Sequence, residues 1–193
     1  MMGILRSERT EIFHVPYGPL SHDGDLTTGF VDIKTNLALI PVLPPCIGWP
    51  ETQELLRRIN APTSPFMSLA THQCFLDGQY QEQPVTLISF VTLCLAELTH
   101  NHKAMIIDLA SFLQYQIDQL LQEISDSLQQ RLQLEVVLES QPTIFHHAKV
   151  DGWSLTIFMT ASGQAHHTVR GTWGWGIQAL IDALRCYHSL EDI

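Results

Sequence analysis

Apolar residues recur with helical spacing through the longest regular stretch of the chain, His102–Leu128. They fall every three or four positions and therefore share one side of an α-helix. The opposite side carries mainly Gln, Asp and Glu, and no Gly or Pro interrupts the stretch. The pattern predicts an amphipathic helix over about 102–128. We expect it to pack across a sheet, because a helix cannot bury its own apolar stripe.

A two-residue period predicts strands before this helix. Phe30–Ile40 alternates between apolar and polar residues, and Phe66–Leu76 and Val85–Glu97 form a pair around an Asp-Gly turn signal. Val85–Leu95 is apolar on both sides, which predicts a central strand covered on both faces. Phe13, Val15 and Tyr17 alternate and predict a short edge strand.

Further strands are predicted after the helix. Leu132–Glu139 alternates regularly, and Thr143–Val150 and Trp153–Ala161 flank Asp151-Gly152, a sequence typical of a tight hairpin turn. Ser162-Gly163 predicts a second turn, which leads into a strand over Ala165–Thr172. Because consecutive strands are joined by short turns, antiparallel pairing is expected.

Two short helices complete the prediction, at about 51–60 and 177–188. The predicted fold class is α+β, with a mainly antiparallel sheet and the long helix across one face. Residues 1–28 lack clear periodicity and are interpreted as an N-terminal arm, and residues 29–193 as one α+β domain.

Composition narrows the class of protein. The chain has 193 residues, of which 45% are hydrophobic and 16% charged, and this is typical of a packed globular protein. A net charge of −10 disfavours binding to nucleic acid or to an anionic membrane through a general basic surface. The four cysteines form no C-x-x-C pair, which favours reduced thiols and a cytoplasmic location.

Six of the ten histidines occur as close pairs, which suggests a metal site as one interpretation. Neighbouring strand residues point to opposite faces, however, and no H-x-x-x-H or C-x-x-C spacing is present. Exposed histidines without a metal are the favoured interpretation, and no metal ligand is assigned. The pairs are His100 and His102, His146 and His147, and His166 and His167.

The glycine-rich segment around Trp173 and Trp175 is the candidate ligand site. It is expected to join a strand to the last helix, whose free N–H groups would attract a small anionic ligand beside Arg170. His147 and His167, from the neighbouring hairpin, would complete the pocket. The alternative is that the glycines make room for two tryptophans that belong to the core.

No catalytic spacing is present: Cys46 has no base assigned to it, and no G-x-S-x-G motif occurs. The sequence therefore favours a non-enzymatic cytoplasmic binding or assembly protein that self-associates or is a subunit of a complex. The alternative is a small-molecule-binding domain or enzyme with its pocket at the Gly-Trp segment. No cofactor is predicted. A functional surface is expected at the Gly-Trp segment or on the sheet face away from the long helix.

Overall fold

The computed structural model describes residues 2–16, 21–22, 25–26, 29–80, 83–128 and 133–191. Strands and α-helices alternate along these residues, and three short 3₁₀ turns connect them. The elements are β1 Met2–Glu8, β2 Phe13–Val15, β3 Ser21–His22, β4 Asp25–Leu26, α1 Pro50–Ile59, β5 Phe66–Tyr80, β6 Gln83–Leu95, α2 Lys103–Leu128, β7 Leu134–Phe145, β8 Val150–Gly163 and α3 His166–Glu191.

Six strands form one sheet in the order β1-β7-β8-β6-β5, and β2 continues the outer side of β7 beyond β1. The pairs β5–β6, β6–β8 and β7–β8 are antiparallel, whereas β1 and β2 run parallel to β7. β3 and β4 pair only with each other. The predicted α+β class and mainly antiparallel sheet are confirmed, and β6 lies in the interior of the sheet as expected.

The three helices share a hydrophobic core with alternate residues of the strands. Predicted helix 102–128 is confirmed as α2, and its apolar stripe is buried against the sheet and α3. We call this side of the sheet the helix face. Its strand positions include the fully buried residues Leu87, Leu93, Leu138, Leu155 and Ile157.

The last helix corrects the sequence prediction. α3 begins at His166, so the strand expected over Ala165–Thr172 is wrong, and the Gly-Trp segment lies inside a helix. The buried residues Val169, Trp173 and Ile177 recur every four positions, as a helix requires. Gly176 permits close packing, because a Cβ atom there would lie 2.9 Å from Cδ2 of Leu134.

The strand predicted over Phe30–Ile40 is also wrong. This segment is irregular and ends in a 3₁₀ turn, Leu37–Val42, which the Asn36 side chain caps. Instead of joining the sheet, the segment packs beside the loop before β5 and the first residue of that strand. Nζ of Lys34 donates there to the carbonyl oxygens of Ala61, Ser64 and Phe66 at 2.9, 2.6 and 2.8 Å.

The hairpin after α2 forms, but its turn lies four residues earlier than Asp151-Gly152. The predicted strands Leu132–Glu139 and Thr143–Val150 merge into β7, and Trp153–Ala161 lies within β8. Residues 146–149 join β7 to β8, and Lys149 has a φ of 54°. Gly152 is a strand residue, and a Cβ atom on it would approach the carbonyl oxygen of Asn101 to 3.0 Å. Leu132, the first residue of the predicted strand, lies outside the described residues.

The N-terminal segment contributes to the sheet. The alternation at Phe13 and Val15 correctly predicted β2, although Tyr17 lies outside the described residues. β1 was not predicted, because its own sequence has no periodic pattern. The buried residues next to it belong to β7 and α2. The predicted helix 51–60 is confirmed as α1.

Candidate functional site on the far face of the sheet

The second face of the sheet, which we call the far face, carries the alternate residues of the same strands. His72, Phe90 and Phe158 lie side by side on β5, β6 and β8, because strand register pairs the first with the second and the second with the third. Their rings are separated by 6.3 and 5.9 Å between centroids. These three residues form an aromatic row across the sheet.

Uncharged polar side chains form a second row next to the aromatic one. The Thr92 and Thr156 hydroxyls lie 2.9 Å apart, and the Gln141 amide nitrogen donates to the Thr156 oxygen at 3.1 Å. All three side chains are buried. We call them the polar floor. Because buried polar groups are costly unless paired, this floor is held in one arrangement by its own hydrogen bonds.

Arg9 lies at one end of the aromatic row, directly after β1. Its guanidinium carbon is 6.0 Å from the centroid of the Phe158 ring, and its Nε atom is 2.6 Å from Oε1 of Glu139. The Ser7 hydroxyl donates to the other Glu139 oxygen at 3.2 Å. The carboxylate therefore orients the guanidinium over the far face.

These groups surround a cavity of about 890 Å³. Its size is in the range of small-molecule sites, about 300–1,000 Å³. The cavity continues around the outer edge of β5, since residues from both faces of that strand line it. Other walls are Phe13 and His14 from the N-terminal segment, and Val31, Ile33, Leu43 and Trp49 from the segment that follows.

The wall beside β5 is fixed by polar contacts. Lys34 holds three carbonyl oxygens there, and burial lowers the pKa of its ammonium group. The Asn60 side chain accepts a hydrogen bond from the backbone N–H of Ser68 at 3.0 Å, and Gln73 donates to the carbonyl oxygen of Pro45. The edge of β5 is therefore covered, and the cavity has a fixed border on this side.

Of the five residues predicted as a ligand site, the structure brings Arg170 and Trp173 together around the ring of Trp49. Trp173 is buried on the helix face, and its indole N–H donates to the Ser89 hydroxyl at 2.7 Å. Arg170 binds Glu51, with 2.9 Å between Nη2 and Oε2, and its guanidinium lies 4.7 Å from the Trp49 ring. Trp173 thus links α3 to β6 and Arg170 links α3 to α1, and neither side chain lines the far-face cavity.

The other three predicted site residues do not join them. His147 lies in the turn between β7 and β8, whereas His167 lies in the first turn of α3, beyond the opposite end of β8. A strand of 14 residues separates these ends, which corresponds to about 40 Å. Trp175 packs against the core. The strand-to-helix junction on which the grouping rested is absent, because the segment is helical.

The histidine pairs are exposed and lie apart. Nδ1 of His14 is 2.9 Å from Nε2 of His146, and Nε2 of His166 is 2.9 Å from Oδ1 of Asp77. Within the described parts of the chain, no group of three or more His, Cys, Asp or Glu side chains could hold a metal ion. The contacts of His146 and His166 with single side chains fit the interpretation of exposed histidines.

Cys46 is fully buried beneath the loop before α1. Burial raises the pKa of its thiol to about 11, although the positive charge of Arg57 acts in the opposite direction. Little thiolate is then present at neutral pH, and thiolate is the nucleophilic form. The geometry supports a structural role for this cysteine.

Comparisons of the chain with protein-family models, with curated proteins and with solved structures find no match. The site is therefore interpreted from its own geometry.

Sequence reasoning favoured the far face as a functional surface but missed the cavity residues. The wall segment was interpreted as a strand, and residues 1–28 were interpreted as an arm. One signal was present: Thr92 is a polar residue within Val85–Leu95, a run that is mostly apolar on both faces. Polar residues at positions that burial would otherwise fill with apolar ones are typical of sites.

Proposed function

We propose that this is a non-enzymatic binding protein whose cavity on the far face takes a small, largely apolar ligand. The main support is the combination of an aromatic row, a polar floor and a volume of about 890 Å³. Ligand sites are commonly apolar with a few fixed polar groups that set orientation. The floor offers hydroxyl and amide groups for this purpose and no adjacent pair of a nucleophile and a base.

A neutral fluorescent probe, N-phenyl-1-naphthylamine, tests the proposal. We expect saturable binding to the wild-type protein with one site per chain. Ala70→Trp should abolish it, because Ala70 lines the cavity and an indole would occupy the space.

Ala104→Trp is the matched control, since residue 104 is exposed on α2. Both variants must give the wild-type circular dichroism spectrum. Probe binding that survives Ala70→Trp but not Ala104→Trp would contradict the proposed site, as would the absence of saturable binding to the wild-type protein.

Self-association is a second candidate function, and the outer edge of β1 supports it. The Arg9 N–H donates to the Ser140 carbonyl at 2.9 Å, so the odd-numbered residues of this parallel pair bond to β7. The backbone groups of Ile4 and Arg6 then point outward, where Gln114 binds only the Ile4 carbonyl, at 3.2 Å. Leu5 is 56% exposed beside them. An edge of this kind favours pairing with a second copy of the chain.

Sedimentation velocity over a hundredfold concentration range tests this candidate. We expect a concentration-dependent dimer that Arg6→Pro removes, because proline deletes an outward N–H group without breaking a bond to β7. Arg6→Gln should still dimerise. A wild-type protein that stays monomeric at the highest concentration would exclude edge pairing.

A cytoplasmic location remains part of the proposal. Cys46 and Cys94 are buried thiols that form no disulfide, as expected in a reducing compartment. None of the described helices is both long enough and apolar enough to cross a membrane.

A further inference from the structure

We propose that the ligand of the far-face cavity has a carboxylate head group, which Arg9 binds, and an apolar body, which lies along the aromatic row. This inference rests on the proposed function, because it specifies the chemistry of the ligand in the same cavity. It differs from the anion site expected at the Gly-Trp segment, whose Arg170 is occupied by Glu51.

The charge distribution at the cavity supports an anionic head group. The chain carries 20 Asp and Glu against 10 Lys and Arg. Among the described residues that line the cavity there is no Asp or Glu, and Arg9 is the one Lys or Arg. A strongly acidic protein thus has a cavity whose described walls carry a guanidinium and no carboxylate.

Arg9 has hydrogen-bond donors available for such a ligand. Its contact with Glu139 uses Nε, which leaves the two terminal nitrogens without a partner among the described residues. About half of its side chain, 47%, is accessible. A guanidinium has five N–H groups in a planar fork, and a carboxylate can accept two of them in parallel.

The aromatic row gives the ligand a direction. Phe158 lies 6.0 Å from the Arg9 guanidinium carbon, and Phe90 lies 5.9 Å further along the row. A chain or ring system that begins at Arg9 would therefore lie over two phenyl rings and beside the polar floor. This arrangement fits a fatty acid or an aryl-alkanoic acid.

Glu139 provides a second, opposite test of the same geometry. Its carboxylate lies 2.6 Å from Arg9 Nε and repels a second carboxylate bound to the same guanidinium. Replacing Glu139 should therefore strengthen binding of an anionic ligand, whereas replacing Arg9 should weaken it. A merely structural Arg9–Glu139 pair would make both replacements weaken binding.

The experiment compares decanoate with decanol, each displacing N-phenyl-1-naphthylamine from the folded protein at pH 7.5. We expect decanoate to bind wild-type protein more tightly than decanol. Arg9→Gln should weaken decanoate binding about tenfold or more, the value of a charge-assisted hydrogen bond, and change decanol binding less. Arg9→Lys keeps the charge without the fork and should give an intermediate affinity.

Glu139→Gln should tighten decanoate binding, and Arg185→Gln is the matched control. Arg185 is exposed on α3, where it pairs with Asp182. Circular dichroism and the urea midpoint establish that each variant is folded. If Arg9→Gln is unfolded, the opposite responses of Glu139→Gln and Arg9→Lys still decide the question.

The outcomes separate the two proposals. If the neutral probe binds but decanoate gains nothing over decanol, or if Glu139→Gln weakens decanoate binding, the carboxylate inference is wrong and the binding function stands. If the probe does not bind at all, the proposed function itself fails. Equal weakening by Arg9→Gln and Arg185→Gln would show a general charge effect and would also overturn the inference.

Discussion

The two faces of the sheet use the same strands for different purposes. On the helix face, β6 and β8 present Leu87, Leu93, Leu155 and Ile157, which α2 and α3 cover completely. On the far face, the residues between them include Phe90 and Phe158, both partly accessible, and hydrogen-bonded threonines. Alternation alone assigns each residue to its face.

This comparison shows how stability and binding can be separated within one sheet. The helix face contributes mainly apolar burial, and one of its buried polar residues, Ser89, accepts a hydrogen bond from Trp173. The far face retains accessible aromatic surface and buried polar groups, which stabilise the fold less but recognise ligands better. Substitutions on the two faces should therefore affect different measurements.

The largest effect is expected for Leu93→Ala on the helix face. Leu93 is fully buried, and its removal should lower the free energy of unfolding by about 3 kcal/mol. Phe158→Ala on the far face should cost about 1.5 kcal/mol, since the ring is only partly buried, but should weaken binding of the neutral probe more strongly. Urea unfolding and probe titration give both values. Equal losses of stability would contradict the division between the faces.

A smaller effect is expected for the hydrogen bond between Trp173 and Ser89 on the helix face. Trp173→Phe removes the donor to the Ser89 hydroxyl, whose 2.7 Å bond is buried, and should cost about 2 kcal/mol including lost volume. Ser89→Ala and the double variant complete a thermodynamic cycle. A coupling energy near 1 kcal/mol is expected from urea unfolding. A coupling near zero would show that the hydrogen bond adds nothing to packing.

The sequence was sufficient to predict the packing of the helix face but insufficient to predict the cavity on the far face. The stripe of α2 and the two-sided apolar pattern of β6 predicted a helix packed on a central strand, because burial imposes a period that can be read directly. The same reasoning failed for Phe30–Ile40, since Lys34 there donates to the carbonyl of Phe66 at the start of β5 and Asn36 caps a 3₁₀ turn, so the segment does not pair as a strand.

The Gly-Trp segment shows why the site could not be predicted. Glycines before an apolar run suggested a strand-to-helix junction, but Gly176 serves close packing against Leu134 within α3. The cavity depends on Arg9 and Phe13, which are distant from Phe158 in sequence and line the same cavity only because β1 and β2 pair with β7. Local periodicity contains no information about such contacts.

Substitutions in the polar floor should have a smaller effect on stability and a larger effect on probe binding. Thr156→Val deletes a hydroxyl that accepts from Gln141 and bonds to Thr92, and should cost about 1 kcal/mol because both partners lose a bond. Thr160→Val is the matched control on the same strand and face, since its hydroxyl has no hydrogen-bond partner among the described residues.

Urea unfolding should distinguish Thr156→Val from Thr160→Val, and probe titration should show weaker binding for the first variant only. A Thr156→Val protein with unchanged stability would mean that the floor is held by packing rather than by its hydrogen bonds. The far face would then resemble the helix face, because packing would stabilise both.

The smallest effect is expected for the ion pair between Arg170 of α3 and Glu51 at the start of α1. Burial alone would raise the pKa of Glu51, but hydrogen bonds from Arg170 and its positive charge outweigh this and lower the pKa below its ordinary value of 4.5. A carboxyl group whose pKa is lower in the folded state stabilises the fold above its unfolded pKa. The contribution is lost as pH falls through the folded value.

The difference in urea midpoint between the wild-type protein and Glu51→Gln should therefore be positive at pH 7 and shrink as the pH falls below 4.5 and Glu51 becomes protonated. It should be small, because both side chains are partly exposed and water screens the pair. Glu123→Gln, on the exposed side of α2, should show no such pH dependence. A midpoint difference that persists unchanged at pH 3 would mean that Glu51 acts through packing at the start of α1. The link between α1 and α3 would then be apolar, like the helix face, and independent of charge.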